Sequence, residues 1–362
     1  MPQSLPPMPQ GLEARWLTEA LRVPFDLAEG VTVADVRREP VGEGVGMMSE
    51  LCRLHLNYSG AAPRAQSSII AKYPSQNATN RGVAMSYHLY EREVRYFLEL
   101  DPQTDAVTPE IYRATLDGDN FVILMEDLNT YRTGDQIVGA DLRDTQVAVD
   151  ALAKLHAAFW GSVSAIEWVP HVAASYHAQN MCDLVDVGWK AMSGAFDSVL
   201  TDEVAGLGER FKAALPRLQR YMDADPVTLV HGDFRMENLM YGQASGHHDV
   251  AIIDWQGPLL GRGMQDVALF LGQSTQTEVR RAHEADLIRR YLDGLAAQGV
   301  GDYTFEQAWL DYRMACLHNW SYVAVVSGTL DSSNARAFAW MSQMVARQVA
   351  ATEDLALIEL MP

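Results

Sequence analysis

Lysine is scarce in this sequence: of 362 residues only Lys72, Lys154, Lys190 and Lys212 are lysines. The 28 basic residues are outnumbered by 47 acidic ones, for a formal net charge of −19. Nucleic acid is gripped through clustered Lys and Arg, so this balance argues against a nucleic-acid partner and against an anionic membrane. An acidic surface keeps a protein in solution and would also suit a cationic small molecule. Cysteine is scarce too. Cys52, Cys182 and Cys316 lie far apart, with no CxxC pair and no metal-ligand spacing, which excludes a disulfide framework and fits buried thiols in a reducing compartment. There is no run of about 18 apolar residues that could span a membrane. The opening "MPQSLPPMPQ" has neither the basic region nor the apolar run of a signal peptide. A cytoplasmic location is the expectation.

What the chain does have is enough length for about two domains at roughly 150 residues each, with an ordinary apolar content of 48% to build their cores. After a short amphipathic helix, "EARWLTEAL", the pattern predicts strands at "VTVADVRREPVGEG", "SELCRLHLNY" and "SSIIAKYP". One helix is predicted over "MSYHLYEREVRYFLEL", then two more strands, "EIYRATL" and "NFVILMEDL". From about residue 141 the character turns helical, including "LRDTQVAVDALAKLHAAFW" and "FEQAWLDYRMACLHNWSYVAVV". Short β pieces return only near 227–256. The expected class is therefore α+β: a small sheet-rich lobe at 1–128 and a larger helical lobe at 129–362.

Three polar residues in "LVHGDFRMENLM" stand out, because His231, Asp233 and Asn238 sit between apolar dipeptides. Their H-x-D-x-x-x-x-N spacing is that of a kinase catalytic loop, where the Asp receives a hydroxyl proton and the Asn holds Mg²⁺. Phosphoryl transfer needs a carboxylate beside the nucleophile and oxygen ligands for a hard cation, and little covalent help. His231 reads as a hydrogen-bonding support. Asp254 ends the apolar run of "VAIIDWQG", sixteen residues after Asn238, where a second Mg²⁺ ligand is needed. Lys72 ends an apolar strand, a costly place for an unpaired charge, and Glu93 lies on the apolar stripe of the following helix. The two are expected to meet, as the pair that points a lysine at the α- and β-phosphates. Gly42, Gly44 and Gly46 in "VGEGVGMMS" would let backbone N–H groups approach a phosphate, although the spacing is not that of a P-loop. Ser49 reads as a turn residue. Glu126 and Leu128, at the end of "FVILMEDL", match a hinge whose main chain bonds adenine. Asp266 opens a helix and should cap it, supporting the loop. Taken singly, each element has a plainer alternative: a solvated loop, a turn-capping Asp, a surface ion pair, a flexible hairpin.

Taken together, "LVHGDFRMENLM", "AIIDWQGP" and "DVALFL" resemble the aminoglycoside phosphotransferase and choline kinase group, and most of all its ecdysteroid-kinase-like (CHK kinase-like) branch. "EPVGEGVGMMSEL", "IIAKYPS", "YEREVRYF", "ILMEDL" and "LAKLHAAFW" agree, so the resemblance runs from about residue 12 to 330. It implies a protein-kinase-like two-lobed fold that moves the γ-phosphoryl group of ATP to a small-molecule hydroxyl. Asp233 would be the base, Asn238 and Asp254 the Mg²⁺ ligands, and Lys72, held by Glu93, the phosphate-binding lysine. The glycine loop departs from the usual kinase spacing.

Two other readings stay open: a nucleotide-binding pseudokinase that regulates a partner, and a metal-dependent hydrolase built on His231, Asp233 and Asp254. The acceptor would lie against the helical lobe, whose Trp160, Trp189, Trp309, Trp320, Trp340, Tyr176, Tyr312 and Tyr322 supply core and pocket alike. A cationic acceptor would need acidic residues there, for which Asp183, Asp186 and Glu237 are candidates. His247-His248 reads as a solvated turn.

Overall fold

Apolar alternation builds a five-stranded sheet early in the chain. The computed structural model describes residues 5, 8, 10–42, 48–330 and 335–361; Gly44 and Gly46 lie outside the described residues. Among those described, the first of two compact units draws on residues up to 103, 108–130 and 254–257. Its elements are α1 (Ala14–Leu21), β1 (Val33–Val41), β2 (Ser49–Tyr58), β3 (Ser68–Pro74), α2 (Ala78–Ser86), α3 (Leu89–Arg95), β4 (Ile111–Asp117) and β5 (Asn120–Glu126). The strand order is β1-β2-β3-β5-β4, with every pair antiparallel. Strand β3 is central, and its Lys72 pairs with Leu51 on one side and Ile123 on the other. Leu17 and Leu21 of α1 pack with Leu54, Ile69, Ala71 and Leu124 of the sheet.

The single helix expected over residues 85–100 is broken. His88 takes a left-handed φ of 56° between α2 and α3, and residues Tyr96–Leu100 form a π turn. No glycine or proline marks either break. The insertion that makes a π turn shifts the facing of every side chain after it.

The second unit comprises residues 104–107, 131–253 and 258–361 among those described. It runs through β6 (Arg132–Thr133), α4 (Leu142–Phe159), α5 (Ser175–Ala195), α6 (Asp202–Ala205), α7 (Gly208–Met222), β7 (Thr228–Val230), β8 (Leu239–Tyr241), β9 (Val250–Ile252) and β10 (Leu259–Gly261). Helices α8 (Met264–Leu269), α9 (Thr277–Ala297), α10 (Phe305–His318), α11 (Trp320–Thr329) and α12 (Ala335–Asp354) complete it. Strands β6, β8 and β9 form one small sheet, and β10 with β7 another. The helical stretch expected over 305–326 divides at Asn319, where the Ser321 hydroxyl donates to the His318 carbonyl at 2.7 Å. Trp189 and Trp320 are core residues with ring centroids 5.5 Å apart. No helix among the described residues is long and apolar enough to cross a membrane.

Candidate active site

Strand β3 carries Lys72 into the interior of the first unit, where its ammonium lies 2.6 Å from Glu93 Oε1 and 2.7 Å from Asp254 Oδ1. The pair expected from the sequence therefore forms, and Asp254 joins it. Burial by itself would pull the lysine pKa down; the charges of Asp254 and Glu93 outweigh that and raise it. Glu93 is 1% exposed, and burial holds its carboxyl above the usual range although Lys72 pulls the other way. A buried charge without a partner costs several kcal/mol, so the buried Lys72 and Glu93 require each other, while Asp254 is partly exposed.

Asp254 is one of few non-glycine residues with a left-handed backbone, φ 66°. That conformation costs on the order of 1–3 kcal/mol and persists only where neighbours impose it. Trp255 is fully buried and stacks on Tyr96 with centroids 3.6 Å apart and planes at 6°. Gln256 then donates to the Ser49 hydroxyl at 3.1 Å, so Ser49 starts a strand and serves as an acceptor instead of sitting in a turn. Gly42 follows β1 with φ 69°, a conformation glycine adopts freely. At the end of β5, Glu126 N–H donates to the Glu110 carbonyl at 2.9 Å and Leu128 is buried. Asp127 between them accepts from Arg53 Nε at 2.7 Å and from the Ser68 hydroxyl. Burial would raise the Asp127 carboxyl, but Arg53 and Ser68 bring it below its ordinary value. Nothing in the local sequence pattern marked Arg53 as its partner.

In the second unit the segment after β7 is held by one carboxylate. Asp266 Oδ2 accepts from His231 N–H at 2.6 Å and Oδ1 from Gly232 N–H at 3.0 Å. Gly232 has φ 79°, which lets two successive amides face the same side chain. His156 Nε2 also reaches Asp266 Oδ2 at 3.2 Å, and its Nδ1 lies 2.8 Å from the Tyr291 hydroxyl. Asp266 was expected to cap its own helix; α8 has no side-chain cap, and the carboxylate supports the loop instead. His231 is fully buried, with Nε2 3.1 Å from the Ile253 carbonyl and Nδ1 accepting from Asp233 N–H at 3.2 Å. Those partners fix the Nε2–H tautomer and leave the ring as a brace.

The Asp233 carboxylate is ringed by donors. Tyr322 O–H donates to Oδ1 at 2.6 Å. Asn238 Nδ2 donates to Oδ2 at 2.9 Å and to the Asp233 carbonyl at 2.8 Å. Arg235 Nε reaches Oδ2 at 3.4 Å, and its Nη1 donates to Glu237. Burial opposes the Arg235 charge, but Asp233 and then Tyr322 and Glu237 more than compensate and raise its pKa. Arg235 was not singled out in the sequence, and Tyr322 was placed only in a general aromatic pool.

The other candidates do not gather. Asp186 pairs with Lys212 at 2.7 Å, Asp183 accepts from Gln179 at 2.8 Å on the surface, and Glu237 is taken by Arg235. His247 stacks on Tyr131 and His248 is exposed. Among the described residues no three His, Cys, Asp or Glu side chains form a metal-binding group. Asn238 nevertheless suits a hard cation. Both its N–H contacts go to Asp233, and an amide carbonyl is the oxygen a hard cation takes. Such an oxygen is a ligand of the type Mg²⁺ takes when phosphates and water complete its shell.

The sequence pattern of the ecdysteroid kinase-like family matches residues 43–299. No curated protein matches the chain. Among solved structures, the ethanolamine kinase of Plasmodium vivax superposes with a TM-score of 0.50 at 10% identity, over 92% of this chain and 87% of that one. The GDP complex of an aminoglycoside 2'-phosphotransferase IIIa variant gives 0.52 at 12% identity, over 94% and 98%. At such identities the likeness establishes the fold: an α+β chain with a sheet-bearing N-terminal part and a helical C-terminal part, as in protein-kinase-like enzymes.

Proposed function

We propose, because this chain belongs to the ecdysteroid kinase-like family, that it transfers the γ-phosphoryl group of ATP to a hydroxyl of a small molecule. The observation that carries the reading is the Asp233 carboxylate, which already accepts an O–H hydrogen bond at 2.6 Å. That is the reach a general base needs toward the proton it removes. Asn238 holds the carboxylate's other oxygen, Arg235 lies against both, and Asp266 fixes the loop that presents them. Lys72, kept charged by Glu93 and Asp254, is the cation for the α- and β-phosphates. Gly42 and the backbone around Glu126 and Leu128 are assigned to phosphate and adenine by position in the sequence. Asn238 Oδ1 and the Asp254 carboxylate are assigned to Mg²⁺ by the family resemblance, and the cation would neutralise the charge on the phosphates.

The acceptor is an alcohol that need not carry positive charge. Each carboxylate considered for binding a cation already has a partner in its own unit: Glu237 has Arg235, Asp186 has Lys212, and Asp183 has the Gln179 amide.

ADP formation with Mg-ATP and a panel of neutral and cationic alcohols tests this reading. Asp233→Asn keeps the shape and removes the base; it should lower kcat about 10²–10⁴-fold, with Mg-ATP binding retained. Undiminished turnover in that variant would show that Asp233 is not the base. A panel in which only cationic alcohols react would overturn the assignment of the acceptor.

A further inference from the structure

We infer that the Tyr322 hydroxyl stands in the acceptor's place on Asp233 and withholds that carboxylate from water until an acceptor displaces it. The inference rests on the phosphotransfer reading above. Its basis is how the three partners meet the carboxylate. Oδ2 is taken by Asn238 at 2.9 Å, and Arg235 Nε straddles the two oxygens, 3.4 Å from Oδ2 and 3.3 Å from Oδ1, both residues coming from the same loop. Oδ1 receives its hydroxyl from 89 residues away in sequence, at 2.6 Å. An acceptor alcohol offers the group Tyr322 offers, an O–H aimed at a carboxylate oxygen, and would occupy the same position.

Tyr322 is suited to hold that position without reacting. Burial, and then the negative charge of Asp233, keep its phenol protonated far above the ordinary range, so it remains a donor. The helix beneath it is fixed. Trp320 is fully buried with Nε1 donating to the Thr352 hydroxyl at 2.9 Å, and Val323 and Ala324 have no exposure. Displacement therefore asks only the phenol side chain to turn.

The step being withheld is hydrolysis of ATP. The water oxygen would bond to the γ-phosphorus as the bond from that phosphorus to the ADP oxygen breaks, and the water proton would pass to Asp233, giving ADP and phosphate. An acceptor alcohol follows the same course with its own oxygen and proton. A phenol that occupies the base in the absence of an acceptor suppresses the first course and yields to the second. Tyr322 is in this sense a specificity-determining residue: it sets the ratio of transfer to hydrolysis.

The experiment needs no known acceptor. ADP formation from Mg-ATP by the full chain is compared between wild type and Tyr322→Phe, with Mg-ATP affinity measured by calorimetry. Tyr322→Met, which also lacks the O–H, is the second variant should the first fold poorly. The expected result is an acceptor-independent rate about tenfold higher in the variant, the scale of one lost competing hydrogen bond, at unchanged nucleotide affinity. A folded variant with an unchanged or lower rate overturns the inference and leaves the phosphotransfer reading standing. Wild type that gains one phosphoryl group on Tyr322 overturns it as well, since the tyrosine would then be a substrate. Wild type that binds no Mg-ATP sinks both.

Discussion

The Lys72 cluster of the first unit and the Asp233 loop of the second hold their charges by opposite means. Lys72 is fixed by charge: a buried and a partly exposed carboxylate meet one buried ammonium, and the residue after one of them lies in a tryptophan–tyrosine stack. Asp233 is fixed by shape. Its loop hangs from Asp266 through two backbone amides, its histidine braces a backbone carbonyl, and its own carboxylate accepts from an amide, a phenol and a guanidinium. A cluster built from charge fails when the charge is removed, whatever the volume. A loop built from directed hydrogen bonds fails when the acceptor's geometry is lost.

The largest effect should come from Lys72→Met, which keeps the length of the side chain and removes the ammonium. Glu93 is then left buried without its ammonium, beside the partly exposed Asp254, and removing one partner of a buried pair costs about 3–5 kcal/mol. Denaturant unfolding of the variant should show that loss at neutral pH, and part of it should return as the pH falls and the carboxylates protonate. A variant as stable as wild type would mean that the cluster contributes no net charge stabilisation. Asp266→Ala should cost less stability, roughly 2–3 kcal/mol for stranding the buried amides of His231 and Gly232. It should nonetheless lower ADP formation by more than that loss accounts for, because the loop carrying Asp233 loses its register. Lost stability with catalysis intact would place the loop's geometry elsewhere.

Much of the charge cluster could be read from sequence, because a lysine in an apolar strand and a glutamate on an apolar helical stripe announce their burial. The spacing of Asp233 and Asn238 was legible for a similar reason: a short loop converts sequence distance directly into geometry. Tyr322 was not. It lies 89 residues from Asp233 on a helix with many aromatics, and an aromatic at helical spacing reads as core. Arg235 was missed because an arginine two residues from an aspartate looks solvated unless burial is known. The breaks at His88 and Asn319 left no signal either, since neither is glycine or proline. Tertiary packing imposes them, and local propensity does not report packing.

A third buried titratable group separates the two strategies further. At the end of α10, both ring nitrogens of His318 are sealed from solvent and make no hydrogen bond, although the ring keeps some exposed carbon surface. Lys72 was kept charged by two carboxylates. His318 has no such partner, and burial, with His177 nearby, lowers its pKa to about 4. The folded value lies below the unfolded value of about 6.5, so between those limits the unfolded chain binds the extra proton and stability falls as the pH drops. Above pH 6.5 the effect vanishes; by pH 5 it should reach about 2 kcal/mol. His318→Leu removes the proton site, so its melting temperature should decline less than wild type's between pH 7 and pH 5. If the two curves run parallel, the imidazole is charged in the folded protein and must have an acidic neighbour or a water-filled channel to stabilise it. The contrast between a buried charge that is paired and a buried group kept neutral would then fail at this position.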